Sequence, residues 1–290
     1  MSSTSCPHNN WGGRKRGELA VAEVIGFVII WILVITLAEI GFDKIQAHSM
    51  YYTISNQGHI ALNAFNFLSS WLLPIFILIV LLLIYVIIRF RAPDNNPKPS
   101  PVQTMRNKWY ILLWVGASFA LNIMFWLHPT AVDLETMFAN WNQEQKQHPL
   151  IVNVTARQWE WIFSYPQYGV KQAVNAQGQD ELELPVHRPV KFFLRSEDPF
   201  HRYDVYADVI HSFWIPAFGI KEDVIPGETR TEFLIPDHVA NYKTNPLVRV
   251  QCAEVCGPGH PYMEAPLSIV KAKHFNQWIA RQKSLQAHGA

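Results

Sequence analysis

Residues 252–263 read Cys252-Ala253-Glu254-Val255-Cys256-Gly257-Pro258-Gly259-His260-Pro261-Tyr262-Met263. Leu247-Val248-Arg249-Val250 precedes them and Leu267-Ser268-Ile269-Val270 follows. Both flanks are short and β-prone, so the stretch between them reads as a loop joining two strands. Further out, Ile151-Val152-Asn153-Val154-Thr155, Val190-Lys191-Phe192-Phe193-Leu194 and Thr231-Glu232-Phe233-Leu234-Ile235 have the same character. Pro and Gly punctuate them. Several short strands with turn signals predict an all-β sandwich or barrel from about residue 149. Phe275 to Lys283 is expected to close it as a short helix.

The loop carries the chemistry. Thiolate, imidazole and thioether donors together select copper, or zinc if the thioether is idle. Cys256, His260, Met263 and one upstream His already suffice for a mononuclear blue-copper site. That His is expected to be His211, in Asp208-Val209-Ile210-His211-Ser212-Phe213-Trp214. Cys252 adds a second thiolate, and two thiolates can bridge two copper ions. Each ion then takes one imidazole, with Met263 and a backbone carbonyl as weak contacts. Such a pair is a one-electron relay rather than a catalytic site with an open position. Two blander readings stand beside it: a Cys252–Cys256 disulfide in an oxidising compartment, and a structural zinc site of two Cys and two His. His187, His201 and His238 read as surface groups, and Cys6 as having no metal role.

The rest of the chain is of a different kind. The 290 residues are 49 % hydrophobic but only 16 % charged, against roughly 25 % charged in soluble chains. This excludes a disordered chain. Mean hydropathy is only +0.03, so a very apolar part is diluted by a polar one. A net charge of +1 offers no basic face to nucleic acid. Three cysteines are too few for a disulfide scaffold.

The apolar part is N-terminal. Leu68 to Ile88 carries no charge over 21 positions, and a bilayer core needs about 20 such residues as a helix. Trp109 to Leu127 is a second uncharged run, with Trp109, Tyr110 and Trp126 placed to meet the two interfaces. Val24 to Ala38 is shorter, 15 residues between Glu23 and Glu39. It reads as an extra N-terminal helix near residues 20–40. A removed signal peptide, cut near Ala47-His48-Ser49, is the alternative. Arg89, Arg91, Lys98, Arg106 and Lys108 between the second and third runs keep that segment in the cytoplasm. The layout expected is a cytoplasmic leader (1–18), a transmembrane region (19–128, spans near 20–40, 68–88 and 109–127) and an external domain (129–290). Residues 130–290 hold 15 Lys+Arg against 18 Asp+Glu, so that domain is mildly acidic.

Three motifs, Asp208–Trp214 (DVIHSFW), Cys252–Met263 (CAEVCGPGHPYM) and Gln158–Trp161 (QWEW), make the chain resemble subunit II of the haem–copper terminal oxidases. The resemblance covers roughly residues 60–280. It implies a membrane-anchored all-β protein: a two-helix hairpin, here with the extra N-terminal helix, and then a cupredoxin-like Greek-key β-barrel. It implies a dinuclear CuA centre of two copper ions on His211, Cys252, Cys256, His260, Met263 and the main-chain carbonyl of Glu254. The Glu254 side chain is similarly placed to help bind magnesium against the catalytic subunit. Trp159 matches the exposed aromatic where electrons enter, with barrel packing as its alternative, since Trp161 lies beside it. Asp208 matches a carboxylate of the donor-docking or subunit-contact face.

The implied role is electron entry into a respiratory oxidase of the plasma (inner) membrane, with the copper domain on the outer side. A soluble carrier, cytochrome c or a blue-copper protein, reduces the centre, which passes electrons to haem in subunit I, where oxygen is reduced to water. Subunit I, subunit III and lipid are the implied partners. Alternatives are a quinol-oxidase subunit, which lacks the copper ligands, the CuA subunit of a nitric oxide reductase, a membrane-anchored copper-delivery protein and a pure scaffold. Three departures from the family pattern stand out, the extra N-terminal run, if retained, among them. Glu197 to Ala207 is inserted next to a ligand, and residues 106–114 lack the carboxylate the family places near the cytoplasmic start of the third run.

Overall fold

The computed structural model describes residues 21–48, 52–89, 108–133, 135–137, 148–196 and 209–288. The leader with Cys6, the polar connector 92–101, the insertion 197–207 with His201, and Asp208 lie outside the described residues.

Three helices come first: α1 (Val21–His48), α2 (Asn56–Arg89) and α3 (Lys108–Phe125). All three are long and apolar enough to cross a membrane by length and composition. Both α1 and α2 outrun their apolar cores. The stretch 41–60, between the first two expected spans, is helical over 41–48 and 56–60. Helical backbone satisfies its own hydrogen bonds, so it continues beyond the apolar run wherever no proline or competing turn stops it.

Residues 1–44 and 70–99 form one compact unit. In it Glu23, Phe27 and Trp31, one helical turn apart, contact α2 in antiparallel order. Glu23 lies 3.6 Å from Arg89, Phe27 meets Tyr85 edge-on at 5.7 Å, and the Trp31 indole donates to the Pro74 carbonyl at 3.1 Å. These three contacts pair the N-terminal half of α1 with the C-terminal half of α2.

Residues 45–69 and 100–290 form the other unit. After α3 a π-helical turn, Trp126–Ala131, ends the apolar segment. The β domain then follows with β1 (Leu150–Arg157), β2 (Glu160–Ser164), β3 (Leu182–Pro185), β4 (Val190–Ser196), β5 (His211–Ile215), β6 (Ile220–Val224), β7 (Arg230–Leu234), β8 (Ala240–Asn241), β9 (Arg249–Cys252) and β10 (Glu264–Val270). One sheet runs β2-β1-β4-β7 and the other β3-β10-β9-β5-β6, with β8 on β10. Together they make the cupredoxin-like barrel, closed by α4 (Ala272–His288).

Period-two alternation explains the core. Val152 and Val154 of β1 are buried, as are their parallel partners Phe192 and Leu194 of β4. Phe213 of β5 packs between these layers, 5.3 Å from Phe192 and 5.6 Å from Trp161. The sequence reading finds β1, β4, β7, β9 and β10 but not β2, β3, β5, β6 or β8. Helix α4 is also longer than expected, because Phe275 and Trp278 cover Tyr165 while Gln282 bonds both main-chain groups of Val174.

Candidate metal centre

Three strands bring the donors together. His211 is the first residue of β5 and Cys252 the last of β9. These strands are antiparallel neighbours, with Phe213 opposite Cys252. Ala253 N–H donates to the Ser212 carbonyl at 3.0 Å and extends that ladder to the foot of the loop. The loop returns into β10, and Cys252 N–H closes its neck on the Met263 carbonyl at 3.0 Å. A single 3₁₀ turn, His260–Tyr262, points the second imidazole back toward the neck.

The result is a compact cluster of soft donors. The sulfurs of Cys252 and Cys256 lie 3.8 Å apart. His211 Nδ1 is 3.7 Å from Cys252 Sγ, and His260 Nδ1 is 3.6 Å from Cys256 Sγ. Met263 Sδ is 3.8 Å from Cys256 Sγ, and the Glu254 carbonyl oxygen is 3.2 Å from Cys252 Sγ. All six sequence-expected donors therefore meet at one place. The two sulfurs stand unbonded in this structure, farther apart than the about 2.05 Å of a disulfide.

Most of the donors are shielded by the surrounding protein. Cys252, Cys256, His211 and Met263 are all buried, whereas the Glu254 side chain is exposed and faces outward. Burial, with a smaller contribution from His260, pushes the His211 pKa down to about 4, so its imidazole stays neutral and keeps a lone pair. Burial, followed by the neighbouring Cys252, pushes the Cys256 thiol up to about 12. Without a cation the Cys256 thiol holds its proton, and a bound metal would displace it. Two thiols, two imidazoles, a thioether and a carbonyl in a water-poor pocket suit copper better than a hard cation.

The two tryptophans of the β1–β2 region separate cleanly. Trp161 is 1 % exposed, meets the His211 ring edge-on at 6.2 Å and donates to the Met263 carbonyl at 3.3 Å. Trp159 is 42 % exposed and donates to the Cys256 carbonyl at 3.1 Å. Barrel packing is thus the role of Trp161, and Trp159 is the surface aromatic at the centre. Gln158, which the sequence offers only as part of a motif, donates to the same Cys256 carbonyl at 2.6 Å. His187 and His238 are exposed, as expected.

Residues 150–271 match the family model described as cytochrome C oxidase subunit II, periplasmic domain. Cytochrome c oxidase subunit 2 of Bacillus subtilis is 30 % identical over 206 residues, covering 70 % of this chain and 53 % of that protein. Its counterpart from Synechocystis sp. is 34 % identical over 139 residues, covering 48 % of this chain and 35 % of that protein. The chain thus spans between about a third and a half of the length of these two relatives. A crystal structure of the periplasmic domain of subunit II of cytochrome oxidase from Bradyrhizobium japonicum is 27 % identical, with a TM-score of 0.37, covering 47 % of this chain and 94 % of that one. Residues 150–271 thus carry the periplasmic domain of the cytochrome c oxidase subunit II family.

Proposed function

We propose that this chain is the electron-entry subunit of a respiratory haem–copper oxidase, holding a dinuclear CuA centre. The observation that carries the reading is the convergence of the six donors. Cys252, Cys256, His211, His260, Met263 and the Glu254 carbonyl would together hold two copper ions. Bound copper would supply reversible one-electron chemistry there.

The protein's own residues set the conditions for it. Burial keeps His211 neutral and water away from both sulfurs. The neck hydrogen bond between Cys252 and Met263 fixes one end of the loop, and Trp161 holds the same Met263 carbonyl. Trp159 presents an exposed ring on the outer side of the loop, where a soluble carrier such as cytochrome c or a blue-copper protein would hand over one electron. Onward transfer would go to haem in subunit I, where oxygen would be reduced. The exposed Glu254 side chain is free to help hold magnesium at that subunit contact, and Asp208 to serve a docking face.

In this reading the copper domain lies outside the plasma membrane and residues 1–18 inside, anchored in lipid by all three helices, with subunit III as a further neighbour. The test is the full chain purified in detergent and loaded with copper. Two copper ions per chain, a purple colour and a mixed-valence paramagnetic spectrum are expected. A colourless chain holding one zinc ion would overturn the reading.

A further inference from the structure

Two side chains of the β1–β2 turn converge on one main-chain oxygen of the ligand loop. Gln158 Nε2 reaches the Cys256 carbonyl at 2.6 Å and Trp159 Nε1 reaches it at 3.1 Å. A carbonyl has two lone pairs, so the pair of donors saturates it. The loop is shaped to receive them. A Cβ added at Gly259 would lie 2.3 Å from Trp159 Cδ2, 2.4 Å from Cγ and 2.7 Å from Cε3. One added at Gly257 would lie 3.2 Å from Gln158 Nε2 and 3.3 Å from the Trp159 ring, at a φ of +114° that favours glycine. Any side chain at position 259 would therefore force the indole or the loop to shift.

We propose that Gln158 and Gly259 are positioning residues for Trp159: Gln158 holds the Cys256 carbonyl from one side, and Gly259 leaves the seat that keeps the exposed indole against it. The inference goes beyond the proposed function and rests on it for what the seat is for. An exposed tryptophan on a surface turn would otherwise sample several rotamers. Clamped here, it keeps one contact with a residue that also supplies a thiol to the centre. Neither Gln158 nor Gly259 offers a ligand to the metal, so their effect acts through Trp159 and the loop.

The seat is testable with and without copper. In the copper-free full chain labelled with 15N-tryptophan, the Trp159 indole N–H is assigned by its disappearance in Trp159→Phe. Loss of one hydrogen-bonded clamp, at about 1 kcal/mol, should speed exchange of that proton by about fivefold in Gln158→Leu, and Gly259→Ala should do the same. Unchanged exchange in Gln158→Leu, which keeps the size of the side chain, would overturn the proposal. Should Gly259→Ala fail to fold, Gln158→Leu alone decides.

In the copper-loaded chain, Gln158→Leu should keep the copper content but shift the sulfur-to-copper absorption bands and slow reduction by a photoexcited ruthenium polypyridine complex. Combining Gly259→Ala with Trp159→Phe should slow reduction no further than Trp159→Phe alone, the sign of residues acting as a unit. Additive slowing would count against the seat. If the parent chain takes up no copper, the electron-entry reading falls while the exchange measurement still decides the seat.

Discussion

Ser55 Oγ donates a hydrogen bond to the main-chain carbonyl of Phe218 at 2.7 Å, across 163 positions of sequence. The same oxygen accepts from Gly58 N–H at 3.0 Å in the first turn of α2. Around it, Ile54 N–H donates to the Ala217 carbonyl at 2.8 Å, and Asp237 N–H donates to the Ile54 carbonyl at 3.0 Å. The start of α2 is thereby sewn into the β domain near the β5–β6 turn. Ser55 is fully buried, so Ser55→Ala strands a buried acceptor and should cost about 1–3 kcal/mol. Gly58→Ala should cost more, because its Cβ would lie 2.8 Å from the Phe218 carbonyl oxygen. Thermal unfolding of the full chain in detergent measures both, and a parental melting temperature in Gly58→Ala would contradict the close approach.

The two tryptophans should differ in what their loss does. Trp161 is buried against Phe213 and holds the Met263 carbonyl, so Trp161→Phe opens a cavity and leaves that oxygen short of a donor. A loss of about 1–3 kcal/mol is expected. Trp159→Phe keeps a ring at an exposed site and should cost distinctly less. The same melting experiment checks the order, and a larger loss for Trp159→Phe would reverse the assignment of roles.

Much of this was readable beforehand, for reasons that differ by element. β1 and β4 show as apolar alternation because one face of each is buried. The donors showed because soft ligands cluster in one loop, and His211 because its motif names it. β5 and β6 were hidden: His211–Ile215 is buried at four of its five positions, His211 and Ser212 included, so it shows no alternation, and its turn through Pro216 and Gly219 lacks a two-residue hairpin signal. β3 was hidden because Glu183 is buried there, against the usual rule for carboxylates. Gln158, Gly257 and Gly259 were in view as letters, yet their role depends on a contact across 97 to 98 positions that no local pattern encodes.

Glu183 makes a prediction about pH. It is only 8 % exposed, and burial, then Glu181, raise its pKa to about 8, with Arg281 opposing. A carboxyl raised in the fold binds its proton more tightly there than in the unfolded chain, where its pKa is about 4.3. Its favourable contribution is therefore complete below that value and is lost as pH rises toward about 8. Glu183→Gln has no proton to lose. The variant should gain on the parent between pH 5 and pH 8, seen as a difference in melting temperature that grows with pH. A constant difference across that range would show that Glu183 is ionised throughout.

The thiols should not be interchangeable in their loss. Cys252 lies among His211, the Glu254 carbonyl and Cys256, whereas Cys256 lies among Cys252, His260 and Met263. Removing Cys252 leaves thiol, imidazole and thioether in one loop, a set sufficient for a single copper ion. Cys252→Ser should therefore retain about one copper ion per chain and exchange the mixed-valence spectrum for that of a mononuclear thiolate site. Cys256→Ser removes the thiol that contacts His260 and Met263 and leaves Cys252 with one imidazole, so copper retention should be poorer. Metal analysis with paramagnetic resonance separates the two variants. A Cys252→Ser chain that still held two copper ions with an unchanged spectrum would mean that its sulfur does not bridge them.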